Sequence, residues 1–250
     1  MSEWFEDESF WIETYPYVFP EERFETAQEQ VEKVLSLINF EGTSVLDLCC
    51  GPGRHSLTLA EKGFAVTGVD RTAFLLDKAK ERAKAKNLQI DWIQQDMRDF
   101  ARPGEYDLVL CMFNSFGYFD NKDEDIKVLN NIFQSLKPGG ACIIDVMGKE
   151  HLANNIQPTT SEELPDGCVV ILRHEIFDDW SRVRNEWILI KNGRARSFKF
   201  HHTIYSGQEL KALLIQVGFK AVKLFGNLDG EEYGSDAQKL IAFARKEGRH

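Results

Sequence analysis

Several things are scarce in this chain, and each scarcity removes a class of function. Five cysteines, two of them adjacent (Cys49 and Cys50), follow neither a disulfide framework nor a zinc spacing, so no metal site is expected. No apolar run approaches the roughly 18–20 residues that a bilayer crossing needs. The N-terminus is acidic and aromatic, not basic and then apolar, and does not read as a secretory signal. A reducing cytoplasm is the expected setting. Basic charge is also short. Thirty Lys and Arg against forty Asp and Glu leave a net charge of −10, which argues against broad contact with nucleic acid. One local exception lies at 168–204, where seven basic residues, among them Arg173, Arg184 and Lys199, meet four acidic ones.

What remains is an ordinary soluble-enzyme composition, 43% hydrophobic and 28% charged. At 250 residues the chain suits one well-buried α/β domain. Residues 1–20 are dense in aromatic side chains (Trp4, Phe5, Phe10, Trp11, Tyr15, Tyr17, Phe19). Left free they would invite aggregation, so the segment is expected to pack down on the domain. A helix follows from about Glu21, with Val31, Val34, Leu35 and Ile38 on one face. Strands are then expected at Ser44–Cys49, Phe64–Val69, Gln89–Ile93, Tyr106–Met112 and Ala141–Val146, with helices at Arg54–Lys62, Ala73–Lys86 and Asp123–Leu136. Near-continuous apolar strands alternating with helices imply a parallel sheet covered on both faces. The rhythm breaks at 168–204. Three β-type runs appear there, two of them joined across Asn192-Gly193, a strong hairpin signal. Ser206 to Glu209 reads as a capping box, and two last strands, Lys220–Phe225 and Lys239–Arg245, form an antiparallel pair.

The most informative stretch is Val45 to Arg54: a buried strand running into a tight glycine turn at Gly51 and Gly53, then a helix. Asp70 closes the next apolar run. This layout brings bare backbone close to a ligand and sets a carboxylate where it holds two ribose hydroxyls. It points to an adenosine-type cofactor.

Five motifs in order carry a resemblance: Asp47 to Gly53, Val66 to Asp70, Gln95-Asp96-Met97, Tyr106 to Leu110, and Leu136 to Gly140. Over residues 30–250 the chain resembles the class I S-adenosylmethionine-dependent methyltransferases of small-molecule type. The resemblance implies a doubly wound, mostly parallel seven-stranded α/β sheet, Rossmann-like, with the small antiparallel sheet inserted after strand five. It implies one domain over 1–250, with 1–40 as a cover and 165–205 as the insert. It also implies S-adenosylmethionine as cofactor, S-adenosylhomocysteine as product, and a small-molecule acceptor methylated on nitrogen or oxygen. No membrane or nucleic-acid partner is expected, and the protein is a monomer or a homodimer.

Cofactor contacts are expected from Tyr17, Asp47, Cys49, Gly51, Gly53, Asp70, Arg71, Asp96, Met97 and Cys111. Asp96 would accept from the adenine amino group, and Cys111 would lie beside the methionine half. His201 and Tyr118 are the catalytic candidates, a histidine being a plausible base for an amine or hydroxyl nucleophile. Tyr15, Tyr17 and Tyr118 are candidates to line the methyl-transfer pocket, with packed core aromatics as the alternative. Two departures stand out: Cys49 replaces the first glycine of the usual loop, and the Asn-Ser-Phe-Gly after strand four is not the Pro-Pro-aromatic turn of adenine-modifying enzymes. Three other readings stay open. They are an RNA base methyltransferase anchored by the basic insert, a non-catalytic S-adenosylmethionine-binding protein, and a nicotinamide-dependent oxidoreductase. The last lacks its third glycine, since Ser56 stands in that position.

Overall fold

The computed structural model describes residues 3–248, so the outermost two residues at each end of the expected 1–250 span lie outside it. After a short 3-10 turn (Trp4–Glu6) come three helices, α1 (Glu8–Val18), α2 (Glu21–Glu25) and α3 (Ala27–Leu37). The alternating core runs β1 (Ser44–Leu48), α4 (Arg54–Glu61), β2 (Ala65–Asp70), α5 (Ala73–Ala85), β3 (Asp91–Gln94), β4 (Tyr106–Cys111), α6 (Lys122–Ser135) and β5 (Leu136–Val146). Next are α7 (Lys149–Asn155) and the strands β6 (Thr159–Glu163), β7 (Val169–Phe177), β8 (Arg182–Lys191) and β9 (Arg194–Thr203). The chain ends with α8 (Gly207–Val217), β10 (Ala221–Phe225) and β11 (Leu240–Arg245).

The main sheet has seven strands in the order β3-β2-β1-β4-β5-β11-β10. All pairs are parallel except those made by β11, which runs antiparallel to β5 and to β10. Alternation along β1 explains how both faces are buried. Leu46 and Leu48 join Val128, Leu129 and Ile132 of α6 and Leu210 and Leu214 of α8, while Val45 joins Val31 and Val34 of α3 and Leu59 of α4. Strand order reverses between β1 and β4, and a crevice opens beyond their carboxyl ends, where open α/β sheets take ligands.

The inserted sheet is larger than the sequence signals: four antiparallel strands, β6-β7-β8-β9, and not three. Strand β6 reads Thr-Thr-Ser-Glu-Glu and is mostly exposed, so it carries no apolar alternation to betray it. The hairpin signal at Asn192-Gly193 is realised, with φ of 50° and 72° at the two turn residues and Lys191 paired to Arg194. Helix α8 begins at the expected capping box, the Ser206 side chain accepting from the Glu209 N–H. Helix α1 goes unannounced because aromatics crowd all its faces and Pro16 sits inside it. Its Phe10, 4% exposed, packs on Phe198 and Phe200 of the insert and so binds the N-terminal arm to the second sheet.

Candidate active site

The turn after β1 is built from left-handed backbone: φ is 59° at Cys49, 55° at Gly51 and 81° at Gly53. Cys49 adopts this conformation despite its Cβ, at a cost on the order of 1 kcal/mol. Its sulfur lies 3.4 Å from the Met97 sulfur across the crevice. A side chain on Gly51 would meet the Phe19 ring, at 3.4 Å, in that same crevice. Asp70, at the end of β2, is buried and closes the turn from the other side. One carboxylate oxygen accepts from the Gly51 N–H at 2.8 Å and the other from the Thr72 N–H at 2.8 Å.

Two buried acids therefore border one space. Burial raises the Asp70 carboxyl above its usual range, against the lowering effect of the Thr72 and Gly51 N–H groups. Burial pushes Asp47 up to about 6, although Ser56 donates its hydroxyl to it at 2.5 Å. A ligand bringing an ammonium and hydroxyl donors would supply the partners these carboxylates lack. Arg54 lies in the same wall, its pKa lowered to about 10 by burial and by neighbouring Arg23. The two guanidinium groups sit 4.4 and 4.5 Å from the centre of the Phe113 ring. Phe113 and Asn114 carry φ of 64° and 60°, a strained loop held down by Asp145 through both backbone N–H groups.

Asp96 forms the far rim. Burial would raise its carboxyl, but Arg98 outweighs that and holds it low, donating through its backbone N–H, Nε and Nη2 at 2.8 to 3.0 Å. Arg98 also reaches Glu3 by two bonds, of 3.1 and 2.7 Å, and Arg71 pairs with Glu6. The N-terminal arm is thus clasped by ion pairs over the crevice, and Phe5, Trp11, Val18 and Phe19 complete its roof.

Asp47, Cys49, Gly51, Asp70, Arg71, Asp96, Met97 and Tyr118 all line this crevice. Four other expected residues lie elsewhere. Gly53 is not in the crevice wall, and a Cβ there would stand 2.6 Å from the Trp92 ring and 3.0 Å from Ala79, so the chain packs closely on β3 and α5 at this point. Cys111 is fully buried, since strand alternation turns it into the core and presents Met112 to the crevice. Tyr17 borders a second, adjacent cavity, edge-on to Trp187 at 5.6 Å. His201 alternates to the outer face of the inserted sheet, meets Asp120 at 2.6 Å and, with Tyr118, borders a third cavity outside the crevice. Its neighbour His202 lines the second cavity instead.

That cavity lies between the arm and the inner face of the inserted sheet. It shares Trp11, Val18, Phe113 and Tyr118 with the first crevice. The basic residues of the insert do not reach it. Arg173 pairs with Glu186, Arg184 with Glu175 and Lys199 with Glu186 on the outer face, while Arg196, on the same face as Phe198, pairs with Glu13 of α1. The sequence signal for an inward His202 was its even spacing from Phe198 and Phe200, which places all three on one face.

Residues 45–140 match the family model described as a methyltransferase domain. The chain is 35% identical over 209 residues to the cypemycin N-terminal methyltransferase of a Streptomyces species, covering 83% of this chain and 84% of that protein. It is 26% identical over 210 residues to the glycine/sarcosine N-methyltransferase of Halorhodospira halochloris, covering 83% and 76%. In fold it is similar to an S-adenosylmethionine-dependent methyltransferase from Clostridium acetobutylicum, with a TM-score of 0.79, 16% identity, and 90% and 92% of the two chains covered.

Proposed function

The chain belongs to the class I S-adenosylmethionine-dependent methyltransferases, and from that premise we propose that it methylates a nitrogen or oxygen of a small acceptor held in the second cavity. The bound cofactor supplies an electrophilic sulfonium methyl group, so the protein's part is to bind, align and keep water out. In this reading Asp70 holds the two ribose hydroxyls and Gly51 lets the ligand approach the backbone. Asp47 faces the cofactor's ammonium, Arg54 its carboxylate, and Asp96 and Met97 the adenine edge. Tyr118, common to the walls of both cavities, stands where donor and acceptor meet. The described residues up to 40 act as the cover, and the four-stranded insert, expected over 165–205, as the acceptor side of one catalytic unit. The unpatterned free cysteines suit a reducing cytoplasm, and the ion pairs that Arg173, Arg184 and Lys199 make with acidic neighbours weaken the case for a nucleic-acid partner. Among the described residues no helix is long and apolar enough to cross a membrane.

The observation that carries this reading is the convergence of Asp70 and the Gly51 N–H at the switch point of the sheet. Ligand-induced thermal shifts test it. S-adenosylhomocysteine at about one hundred times its Kd adds roughly 2.7 kcal/mol, a shift of roughly 5–10 °C for a chain of this size. A shift with NAD and none with S-adenosylhomocysteine would overturn the assignment.

A further inference from the structure

On the inner face of the inserted sheet, besides Thr160 and Glu162 of β6 and Arg196 near the far end of β9, three polar side chains stand among apolar ones, linked through the middle one. Alternation brings Leu172 and His174 of β7, Val183, Asn185 and Trp187 of β8, and Phe200 and His202 of β9 to that face. His174 Nδ1 lies 2.7 Å from Asn185 Oδ1, and Asn185 Nδ2 lies 3.4 Å from His202 Nδ1. Asn185 is 5% exposed and fully engaged, while the Nε2 atoms of both histidines remain uncommitted. Polar groups set into an apolar wall cost stability unless a partner uses them.

The direction of the chain fixes what each ring offers. His174 donates from Nδ1 to the amide oxygen, which leaves Nε2 of its neutral form an acceptor. The amide nitrogen donates to His202 Nδ1, which leaves Nε2–H of that neutral ring a donor. Burial and the nearby His201 hold His202 down to about 4, so the ring stays neutral across the physiological range. The wall therefore presents one acceptor and one donor side by side.

The remainder of the cavity states the rest of the requirement. Aromatic rings dominate it, and the cavity, about 580 Å³, is far larger than an acceptor the size of glycine fills. Among the described residues no Asp or Glu lines it, whereas Arg23 does; Glu162 acts on Arg23 and Tyr17 from outside the lining. Aromatic rings alone also suit a cation. Here an ammonium would enter beside a guanidinium and three histidines, His151, His174 and His202, with no carboxylate in the lining to replace its water. Resting on the methyltransferase reading above, we propose that the acceptor is a flat aromatic molecule without positive charge, and that His174, Asn185 and His202 position it by a polar substituent.

The test is calorimetric titration of the full chain, with and without saturating S-adenosylhomocysteine, using 2-naphthol, 2-naphthoate and 1-naphthylmethylammonium. The neutral or the anionic probe is expected to bind at least about tenfold tighter than the cation. His202→Phe, and separately Asn185→Leu, should weaken 2-naphthol by about tenfold, the worth of a hydrogen bond, while S-adenosylhomocysteine affinity stays within about twofold. That retained affinity also certifies the folding of each variant. Equal or tighter binding of the cation, no binding of any naphthyl probe beside bound S-adenosylhomocysteine, or unchanged naphthol affinity in folded variants would each overturn the proposal. Failure of S-adenosylhomocysteine itself to bind would instead strike the methyltransferase reading, and the ranking of probes in the cofactor-free protein would still decide the chemistry of the cavity.

Discussion

Replacing Asp70 with asparagine keeps the shape of the side chain and removes its symmetry. Both carboxylate oxygens accept a backbone N–H, from Gly51 and from Thr72, each at 2.8 Å. An amide has only one oxygen, so either orientation sets its NH2 against a backbone N–H. One buried donor loses its partner, at about 1–3 kcal/mol, partly offset because the neutral amide avoids the burial penalty of an anion. The cofactor loses more. Hydrogen bonds to a charged acceptor contribute about 1.5–3 kcal/mol each, and the amide keeps at most one of the two to the ribose in weakened form. A net loss of about 2–4 kcal/mol corresponds to roughly a 30- to 700-fold rise in Kd for S-adenosylhomocysteine. Calorimetric titration of Asp70→Asn beside the wild type measures this directly, with circular dichroism to confirm that the variant is folded. A Kd within threefold of wild type in a folded variant would refute the ribose assignment.

Three other perturbations separate packing, clasp and charge. Gly53→Ala combines a left-handed φ of 81° with a Cβ placed 2.6 Å from Trp92. It should cost about 2–4 kcal/mol in chemical denaturation yet leave S-adenosylhomocysteine affinity of the folded fraction unchanged; a selective loss of affinity would return Gly53 to the cofactor. Arg98→Met removes the bridge from Glu3 to Asp96 and should raise the cofactor's dissociation rate several-fold, about 1 kcal/mol, in stopped-flow displacement. An unchanged rate would mean that the ion pairs do not hold the cover shut. Asp125 is fully buried, accepts from Tyr205 at 2.5 Å, and is pushed by burial from 3.8 up to about 6. The folded state keeps that proton where the unfolded chain has lost it, so its benefit is complete below about pH 4 and is lost as pH rises through about 6. Relative to wild type, Asp125→Asn should therefore gain about 2 kcal/mol in stability between pH 4 and pH 7, and a difference that stays flat across that range would contradict the burial effect.

The parts of the fold that were legible in the sequence are those where one local signal suffices. Apolar strands, the capping box at Ser206 and the Asn192-Gly193 turn each declare themselves within a few residues. The parts that stayed hidden depend on distant partners. Helix α1 is shaped by what its aromatics meet on β9, and β6 is a polar edge strand held by pairing to β7. The same division runs through the site. Asp47, Gly51, Asp70, Asp96 and Met97 follow from strand-end position and do line the crevice. Gly53, where any Cβ would meet Trp92, and the buried Cys111 share that neighbourhood in sequence but face packing, a direction that spacing alone does not reveal. His201 and His202 differ only by strand parity, and the aromatic partners at 198 and 200 decide which of them faces inward.

The central claim is that Asp70 and the Gly51 turn grip one adenosyl ligand at the β1–β4 switch point. A crystal structure of the full chain soaked with S-adenosylhomocysteine tests it most directly. Both ribose hydroxyls should lie within hydrogen-bonding distance of the Asp70 carboxylate, with the sulfur directed toward Tyr118 and the second cavity. Ligand density anywhere else, or a ribose turned away from Asp70, would contradict it.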